Sequence, residues 1–431
     1  MVPAHPTDNR IYKLKGGEFI FYLIRQKRFN LLLLATLTSS IGTGISMIAI
    51  PWFMIHVSGQ VILGYSTIGI TLLMFLFSPY IGVIVDRFSR KSILCSTQLI
   101  CGVVVALVSL IVVLQGNIQT WNLIVISFIG QLYYSIHFPA FQAYIQEVFD
   151  DEQFKSINSV FEMANQLDTI LAGAIASLLI DSSPPYFLLF IDAFSYFACF
   201  VLIWIIPYAP KQPEVESGQK VKWLSKLKQG FTYIKVRPTL FFFFLAIYMP
   251  FIVAMIGNYV IPIHLSITLK ASSAVLAYFS MFYAAGAMLS GVLVSSIGLK
   301  WGNNTVVTIM MILTVISLGG MVLFSQTWLF LLFGIIEGIG NSGTKILRNT
   351  MMMNLIPNQL FGRVSSFYNT LGLFIRILLL LLFTELSEKV SSTFFLGSML
   401  TLVTVSLLVV VLFKSVNSED KRHLNEKDLF Y

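Results

Sequence analysis

Among the ionisable side chains inside long apolar segments of the sequence, four are candidates for proton-transfer chemistry: Asp168, Asp192, Glu337 and Arg376. Charged groups are costly in hydrocarbon and usually face a cavity or one another. Shielding from water raises the pKa of a carboxyl group, so that it can take up and release a proton near neutral pH. Of the two aspartates, Asp168 is the better candidate for this chemistry. Asp192 lies among apolar neighbours, so we expect it to act mainly as a hydrogen-bond partner in helix packing, with proton transfer as its second possible role.

Glu337 and Arg376 belong to different apolar segments but are expected at similar depth. At 1.5 Å per helical residue, each lies about 13 Å from the outer edge of a hydrocarbon layer. We therefore predict that they approach each other or share a water molecule. Two interpretations remain open: a structural ion pair, and a role in coupling transport to substrate or proton binding. The first is not established by burial alone, because the cost of desolvating two charges can cancel their attraction.

Uncharged polar side chains recur at helical spacing in the same segments and could line a cavity. One example surrounds Asn341. At helical spacing, Asn341 shares one helix face with Glu337, Thr344, Lys345 and Arg348. A stripe of small polar residues at positions 36, 39, 40, 43 and 46 could line a cavity or let helices approach closely. The candidate cavity residues are Gln131, Tyr134, Asn165, Thr169, Met255, Asn258, Tyr259 and Asn341.

The composition requires that membrane-spanning helices position these side chains. The 431 residues are 56% hydrophobic and 11% charged, whereas soluble proteins carry about 25% charged residues. A spanning helix needs about 20 mostly apolar residues, and the sequence predicts twelve such segments. They cover residues 30–55, 61–85, 92–114, 121–142, 159–180, 186–206, 239–263, 273–297, 304–324, 327–346, 364–385 and 393–413.

The distribution of basic residues predicts the topology. All but four of the 28 Lys and Arg residues fall in segments assigned to the cytoplasmic side, which places both termini there. We therefore attribute the net charge of +8 to the basic residues that set the orientation of the protein in the membrane, rather than to a nucleic-acid-binding surface. The predicted organisation is an N-terminal segment 1–29, a six-helix bundle 30–206, a central loop 207–238, a second bundle 239–413 and a tail 414–431. Within the central loop, residues 223–234 form either an amphipathic helix or a flexible basic linker.

Several other classes of site are excluded by spacing. The stretch from Gly338 to Lys345 resembles a phosphate-binding loop, but Thr344 separates the glycine and lysine that the motif requires. The three cysteines match no metal or redox motif. His137 is expected to be a packing residue, and the scattered single acids supply no enzyme site. We expect no cofactor, no metal and no enzymatic activity.

The connector after the second segment reads Asp86-Arg87-Phe88-Ser89-Arg90-Lys91. Together with twelve spans and the central basic loop, it resembles the signature loop of the major facilitator superfamily. The phrase from Phe77 to Arg87 and the loop at 361–365 are similar to the macrolide-efflux-like drug exporters of that superfamily. The resemblance implies an all-α fold of twelve transmembrane helices in two six-helix bundles.

The resemblance also implies a gate. Asp86 would dock at the start of helix eleven near 364–366, as suits an anion at a helix N-terminus, while Arg87, Arg90, Lys91 and Arg363 would brace the closed state. These charges could alternatively serve only to fix the topology. The counterpart loop in the second half lacks the Asp-Arg pair, and helix five lacks the Gly-Pro step of many drug antiporters, which weakens the case for proton coupling more than that for transport.

We therefore expect a monomeric secondary transporter of the plasma membrane that exports an amphiphilic small molecule against protons. Its partners would be that small molecule, protons and the lipid bilayer, without nucleic acid. An importer or lipid flippase on the same fold is the alternative, and a membrane-embedded enzyme is less favoured.

Overall fold

The computed structural model describes residues 25–149, 154–208, 231–356 and 358–413. None of these residues forms a strand, and twelve long helices account for most of them. The first half comprises α1 (Lys27–Ser58), α2 (Gln60–Arg87), α3 (Arg90–Gln115), α4 (Thr120–Val148), α5 (Phe154–Leu179) and α6 (Pro185–Ile205). The second comprises α7 (Pro238–Ile263), α8 (Ser273–Trp301), α9 (Asn303–Leu323), α10 (Thr327–Leu355), α11 (Asn358–Leu386) and α12 (Ser392–Leu412).

The helices follow one another through short connections. Single glycines join α1 to α2 and α8 to α9, and both have the positive φ angle that glycine adopts at least cost: Gly59 at 83° and Gly302 at 73°. A π-helical turn, His264–Thr268, continues α7. Because the number of long helices is even, the first and last described residues lie on one side. We call this side the terminal face and the other the opposite face.

Ten of the described helices are long and apolar enough to cross a membrane. The two that fall short by composition are α5, which carries the candidate cavity residues Asn165 and Thr169, and α10, which carries the polar face around Asn341. Both lie against other helices, α5 against α1 and α8, and α10 against α8 and α9. Their polar faces can therefore be buried in protein rather than exposed to lipid.

The structure corrects several predicted helix ends. The tenth segment was predicted to stop at 346, whereas α10 continues to Leu355; the fourth was predicted to stop at 142, whereas α4 continues to Val148. Hydropathy ends at the first polar cluster, but a helix packed against other helices continues as long as its backbone bonds are made. The central residues 209–230 lie outside the described part. Of the segment 223–234, for which a helix and a flexible linker were both predicted, only 231–234 are described, and these residues are helical.

Contacts between the halves concentrate at the opposite face. The start of α2 meets the end of α11, where the Gln60 amide donates to the Ser387 carbonyl at 2.7 Å and Tyr65 donates to the Glu385 carboxylate. Gly173 of α5 packs against Ala277 and Met281 of α8. Towards the terminal face on α5, Glu162, Met163 and Asn165 are instead exposed. The halves are thus closely packed at the opposite face and apart at this part of the terminal side.

Candidate functional site

A cavity of about 340 Å³ lies mainly within the second half. Its wall is formed by α7, α8, α9, α10 and α12, with one residue from α5 of the first half. Most of the wall is aromatic or aliphatic, including the methionines 255, 321 and 399 and the phenylalanines 251 and 279. The polar residues of the wall are Thr169, Asn258, Ser280, Tyr283, Glu337 and Asn341.

The polar face of α10 supplies the hydrogen-bonding groups of this cavity. Asn341 donates from Nδ2 to the Tyr283 hydroxyl at 2.5 Å. One turn earlier, Glu337 is 5% exposed, and its Oε2 atom has no hydrogen-bond partner. A buried carboxyl oxygen without a partner is costly, so this group suits binding of a proton or of a ligand's donor group. The cavity therefore offers one carboxyl group within a mostly apolar wall.

The structure brings half of the predicted cavity residues together. Thr169, Met255, Asn258 and Asn341 line the cavity. Tyr259 does not line it; the ring is buried and its hydroxyl donates to the Gln60 carbonyl at 3.4 Å. The other three predicted residues are also absent from the wall. They are Gln131, Tyr134 and Asn165.

Their positions explain this difference. Gln131 and Tyr134 belong to α4, which packs against α1, α2 and α3, whereas the cavity belongs to the second half. Tyr134 is 61% exposed, and Asn165 of α5 is exposed as well. Helical periodicity identified the polar face of each helix but not the helix that the face meets.

Asp168 precedes the cavity residue Thr169 on α5 and is 2% exposed. Neither of its carboxylate oxygens has a hydrogen-bond partner. Asp192 of α6 is equally buried, but its Oδ2 accepts a hydrogen bond from the Ser46 hydroxyl of α1 at 2.6 Å. The two aspartates thus differ in their surroundings. Asp192 accepts a short hydrogen bond that joins α6 to α1, whereas Asp168 has the Ser40 hydroxyl of α1 nearby without a well-formed hydrogen bond.

The polar stripe of α1 serves packing within the first half. Ser39 lies 2.9 Å from the Tyr133 hydroxyl, which also accepts from Gln98 Nε2 at 2.9 Å. Thr43 donates to the Tyr196 hydroxyl at 3.2 Å. These bonds connect α1 with α3, α4 and α6. Of the two uses that the sequence allowed for the stripe, close helix approach is the one observed at these positions.

Glu337 and Arg376 do not form the expected direct contact. No ion pair joins them in the described part of the chain, and Arg376 does not line the cavity. The physical reason is the placement of α7, which packs against both α10 and α11 while those two helices touch only slightly. The Nε atom of Arg376 is buried without a hydrogen-bond partner.

Arg348 was not predicted as a site residue, because the tenth segment was expected to end before it. In the structure it is a buried residue of α10, with its Cζ atom 3.9 Å from the centre of the Tyr248 ring. The signal that could have found it was its position on the same helix face as Glu337 and Asn341.

The predicted gate residues are only partly described. The side chains of Asp86 and Arg87 lie outside the described ones, although both residues belong to the end of α2. Arg90 forms an ion pair with Glu147 of α4 at 3.6 Å. Lys91 donates to the carbonyl oxygens of Trp204 and Ile206, at 2.7 and 2.6 Å, near the end of α6.

Arg90 and Lys91 thus connect α3 to α4 and α6 within the first half. Arg363, the fifth predicted gate residue, is half-buried near the start of α11 and forms no ion pair with another described residue. His137 lies between the rings of Tyr133 and Phe141, at 4.8 and 5.7 Å. Across the residues that the structure describes, no three His, Cys, Asp or Glu side chains come together as a metal site.

Comparison with known proteins identifies the class to which this helical assembly belongs. The family model described as "Major Facilitator Superfamily" matches residues 32–380. The chain therefore belongs to this superfamily of membrane transporters.

Individual relatives are distant. Macrolide efflux protein A of Enterococcus faecalis is 22% identical over 303 residues, which cover 67% of this chain and 90% of that protein. Among solved structures, an inward-facing bacterial homologue of the iron transporter ferroportin has a TM-score of 0.68 at 14% identity, covering 90% of this chain and 98% of that one. The nucleoside transporter NupG has a TM-score of 0.67 at 14% identity, covering 90% and 99%. At such identities the structural likeness defines the fold alone.

Proposed function

We propose that this protein is a secondary active transporter that exports an amphiphilic small organic molecule by proton antiport. The observation that carries the proposal is the cavity, in which apolar and sulfur-containing side chains surround one buried carboxyl group. Ligand sites typically combine such an apolar wall with a few polar groups that fix orientation. The similarity to macrolide efflux protein A supports export of a macrolide-like compound.

Alternating access would expose this cavity to each side in turn. The close contacts at the opposite face, between Gln60 and Ser387 and between Tyr65 and Glu385, suit the state in which that side is closed. At the terminal face, Asp86, Arg87, Arg90, Lys91 and Arg363 would form the second gate. The abundance of basic residues on this face favours the cytoplasm of a plasma-membrane protein.

Proton antiport would use Asp168 and Glu337, with Asp192 and Arg376 as further candidates. Both of the first two are buried acids with at least one oxygen lacking a hydrogen bond. One proton moving with the field supplies about 2.3 kcal/mol per 100 mV. With one proton exchanged per uncharged substrate molecule, that amount supports a substrate gradient of roughly 50-fold at 100 mV.

Transport by the purified full chain in proteoliposomes tests the proposal. With a proton gradient imposed, fluorescent dyes and macrolides should accumulate on the side opposite to the terminal face. Collapsing the gradient with a protonophore should abolish accumulation, and export that persists would refute proton coupling. Accumulation in the other direction would identify an importer, and movement of labelled lipid without drug transport would identify a flippase.

A further inference from the structure

Arg348 is a buried cation for which the described residues supply no counter-charge. Its residue is 5% exposed, and the Nε and Nη1 atoms have no hydrogen-bond partner. No carboxylate among the described residues forms an ion pair with it. Burying an unpaired charge is strongly unfavourable, and such groups normally acquire a partner. The absence of a partner for these two nitrogen atoms among the described residues therefore requires an explanation.

Aromatic rings account for only part of the environment of this guanidinium. Its Cζ atom lies 3.9 Å from the centre of the Tyr248 ring and 5.1 Å from that of Phe251. Such cation–π contacts offset part of the cost of burying the charge, but a ring offers no lone-pair acceptor. The Nε and Nη1 atoms therefore keep unused hydrogen-bonding capacity and can donate to an oxygen acceptor.

Arg348 also lies at one end of the cavity. Phe251 belongs to the cavity wall and is one of the two rings beside the guanidinium. On α10, Arg348 follows the cavity residue Asn341 by two helical turns on the same face, about 10 Å nearer the terminal face. The stripe that begins at Glu337 thus runs from a carboxyl group, past an amide, to a guanidinium.

We propose that Arg348 binds an oxyanion, the carboxylate or phosphate-type group of an amphiphilic ligand whose apolar part occupies the cavity beside Phe251 and Met255. The planar guanidinium matches such groups with two parallel hydrogen bonds. The surrounding rings keep water away, which strengthens the interaction. The identification of this ligand as the transported molecule rests on the proposed function, whereas the binding itself does not.

Binding to the purified full chain in an uncharged detergent tests this directly. Radiolabelled decanoate is the probe, and decyl phosphate, decanol, decylamine and inorganic phosphate are the competitors. Decyl phosphate should displace decanoate, while decanol and decylamine should compete at least about 10-fold less well, as expected for one charge-assisted interaction. Arg348→Met should lose this preference for anions. Lys345→Met, which removes an exposed cation from the same helix, should keep it.

Two further measurements guard against a folding artefact. The melting temperature of Arg348→Met should equal or exceed that of the wild type, because an unpaired buried charge is removed. Arg348→Lys retains the charge without the planar fork and should show an intermediate loss of decanoate affinity. A wild-type preference for anions in Arg348→Met would overturn the proposal.

The competitors also separate the two sources of the anion. If inorganic phosphate competes as well as decyl phosphate, the proposal of an amphiphilic ligand is wrong, and Arg348 is instead a site for free anions. Because no gradient is used, failure of export in proteoliposomes would not affect this result. Conversely, intact export with unchanged anion preference in Arg348→Met would refute the site and leave the transport function standing.

Discussion

Asp168 and Asp192 show how two equally buried acids can differ in chemical role. Asp192 accepts a hydrogen bond from Ser46, which joins α6 to α1. Asp168 has no hydrogen bond to either oxygen and adjoins a residue of the cavity wall. An acid without fixed partners can exchange its proton without breaking the packing around it. This difference leads to separate expectations for the two residues.

For Asp168, replacement by Asn should remove proton-driven export while leaving ligand binding near the wild-type value. The amide has the shape of the acid but cannot release a proton in the same way. Export by proteoliposomes with an imposed proton gradient, together with equilibrium binding of the same compound, measures both quantities. Unchanged proton-driven export in Asp168→Asn would mean that another acid carries the proton.

For Asp192, the expected effect concerns stability. Asp192→Ala and Ser46→Ala should each destabilise the protein, and the double variant should be less destabilised than the sum. The coupling free energy should be about 1 kcal/mol, in the range of hydrogen bonds between membrane helices. Thermal unfolding of the four proteins completes the cycle, and strict additivity of the two changes would show that the bond contributes nothing.

At the scale of elements, glycines determine how closely the helices approach. A side chain at Gly338 of α10 would overlap the backbone carbonyl of Tyr283 on α8. The stretch that resembles a phosphate loop is thus a helix-packing surface. Close approach through small residues is characteristic of membrane helices, where packing replaces the hydrophobic driving force.

Gly338→Ala should therefore lower stability by about 1–3 kcal/mol, the usual cost of overpacking. The atom that would be overlapped belongs to the backbone and cannot rotate away. Gly319→Ala on α9 is the matched control, because a Cβ atom there meets nothing within 4 Å. Thermal unfolding in detergent compares the two variants, and equal melting temperatures would contradict this account of the α8–α10 contact.

The contact between α2 and α11 at the opposite face makes a second prediction. A Cβ atom on Gly64 would overlap the Thr384 side chain, whereas one on Gly69 of the same helix would meet nothing within 4 Å. Gly64→Ala should therefore favour the state in which this face is open. In a background without native cysteines, Ser387→Cys should react faster with an impermeant maleimide in Gly64→Ala than in Gly69→Ala. Equal rates would show that this contact does not control closure.

At the scale of the whole molecule, the decisive property is its orientation in the membrane. Ser89 lies in the connector between α2 and α3, whereas the exposed Ser391 lies at the opposite end of the helices, in the connector between α11 and α12. In intact cells, an impermeant maleimide should label Ser391→Cys and spare Ser89→Cys, which should react after the membrane is opened. The reverse pattern would invert the topology and, with it, the assignment of the gates.

Local properties of the sequence were sufficient to predict the helical class, the twelve long segments, the polar faces of the helices and the side on which the basic residues are expected. Hydropathy and a period of 3.6 residues are local properties, so they can be identified without knowing the neighbours of a helix. The sequence predicted Thr169, Met255, Asn258 and Asn341 as cavity residues, but it did not predict that the cavity lies mainly within the second half of the chain.

The tertiary structure alone decided which polar faces meet. It packed α7 against both α10 and α11, with no direct ion pair between Glu337 and Arg376 among the described residues, and it extended α10 so that Arg348 became buried beside Tyr248. It also directed the polar stripe of α1 into the first half. Helix–helix packing depends on residues far apart in the chain, and neither periodicity nor composition specifies those partners.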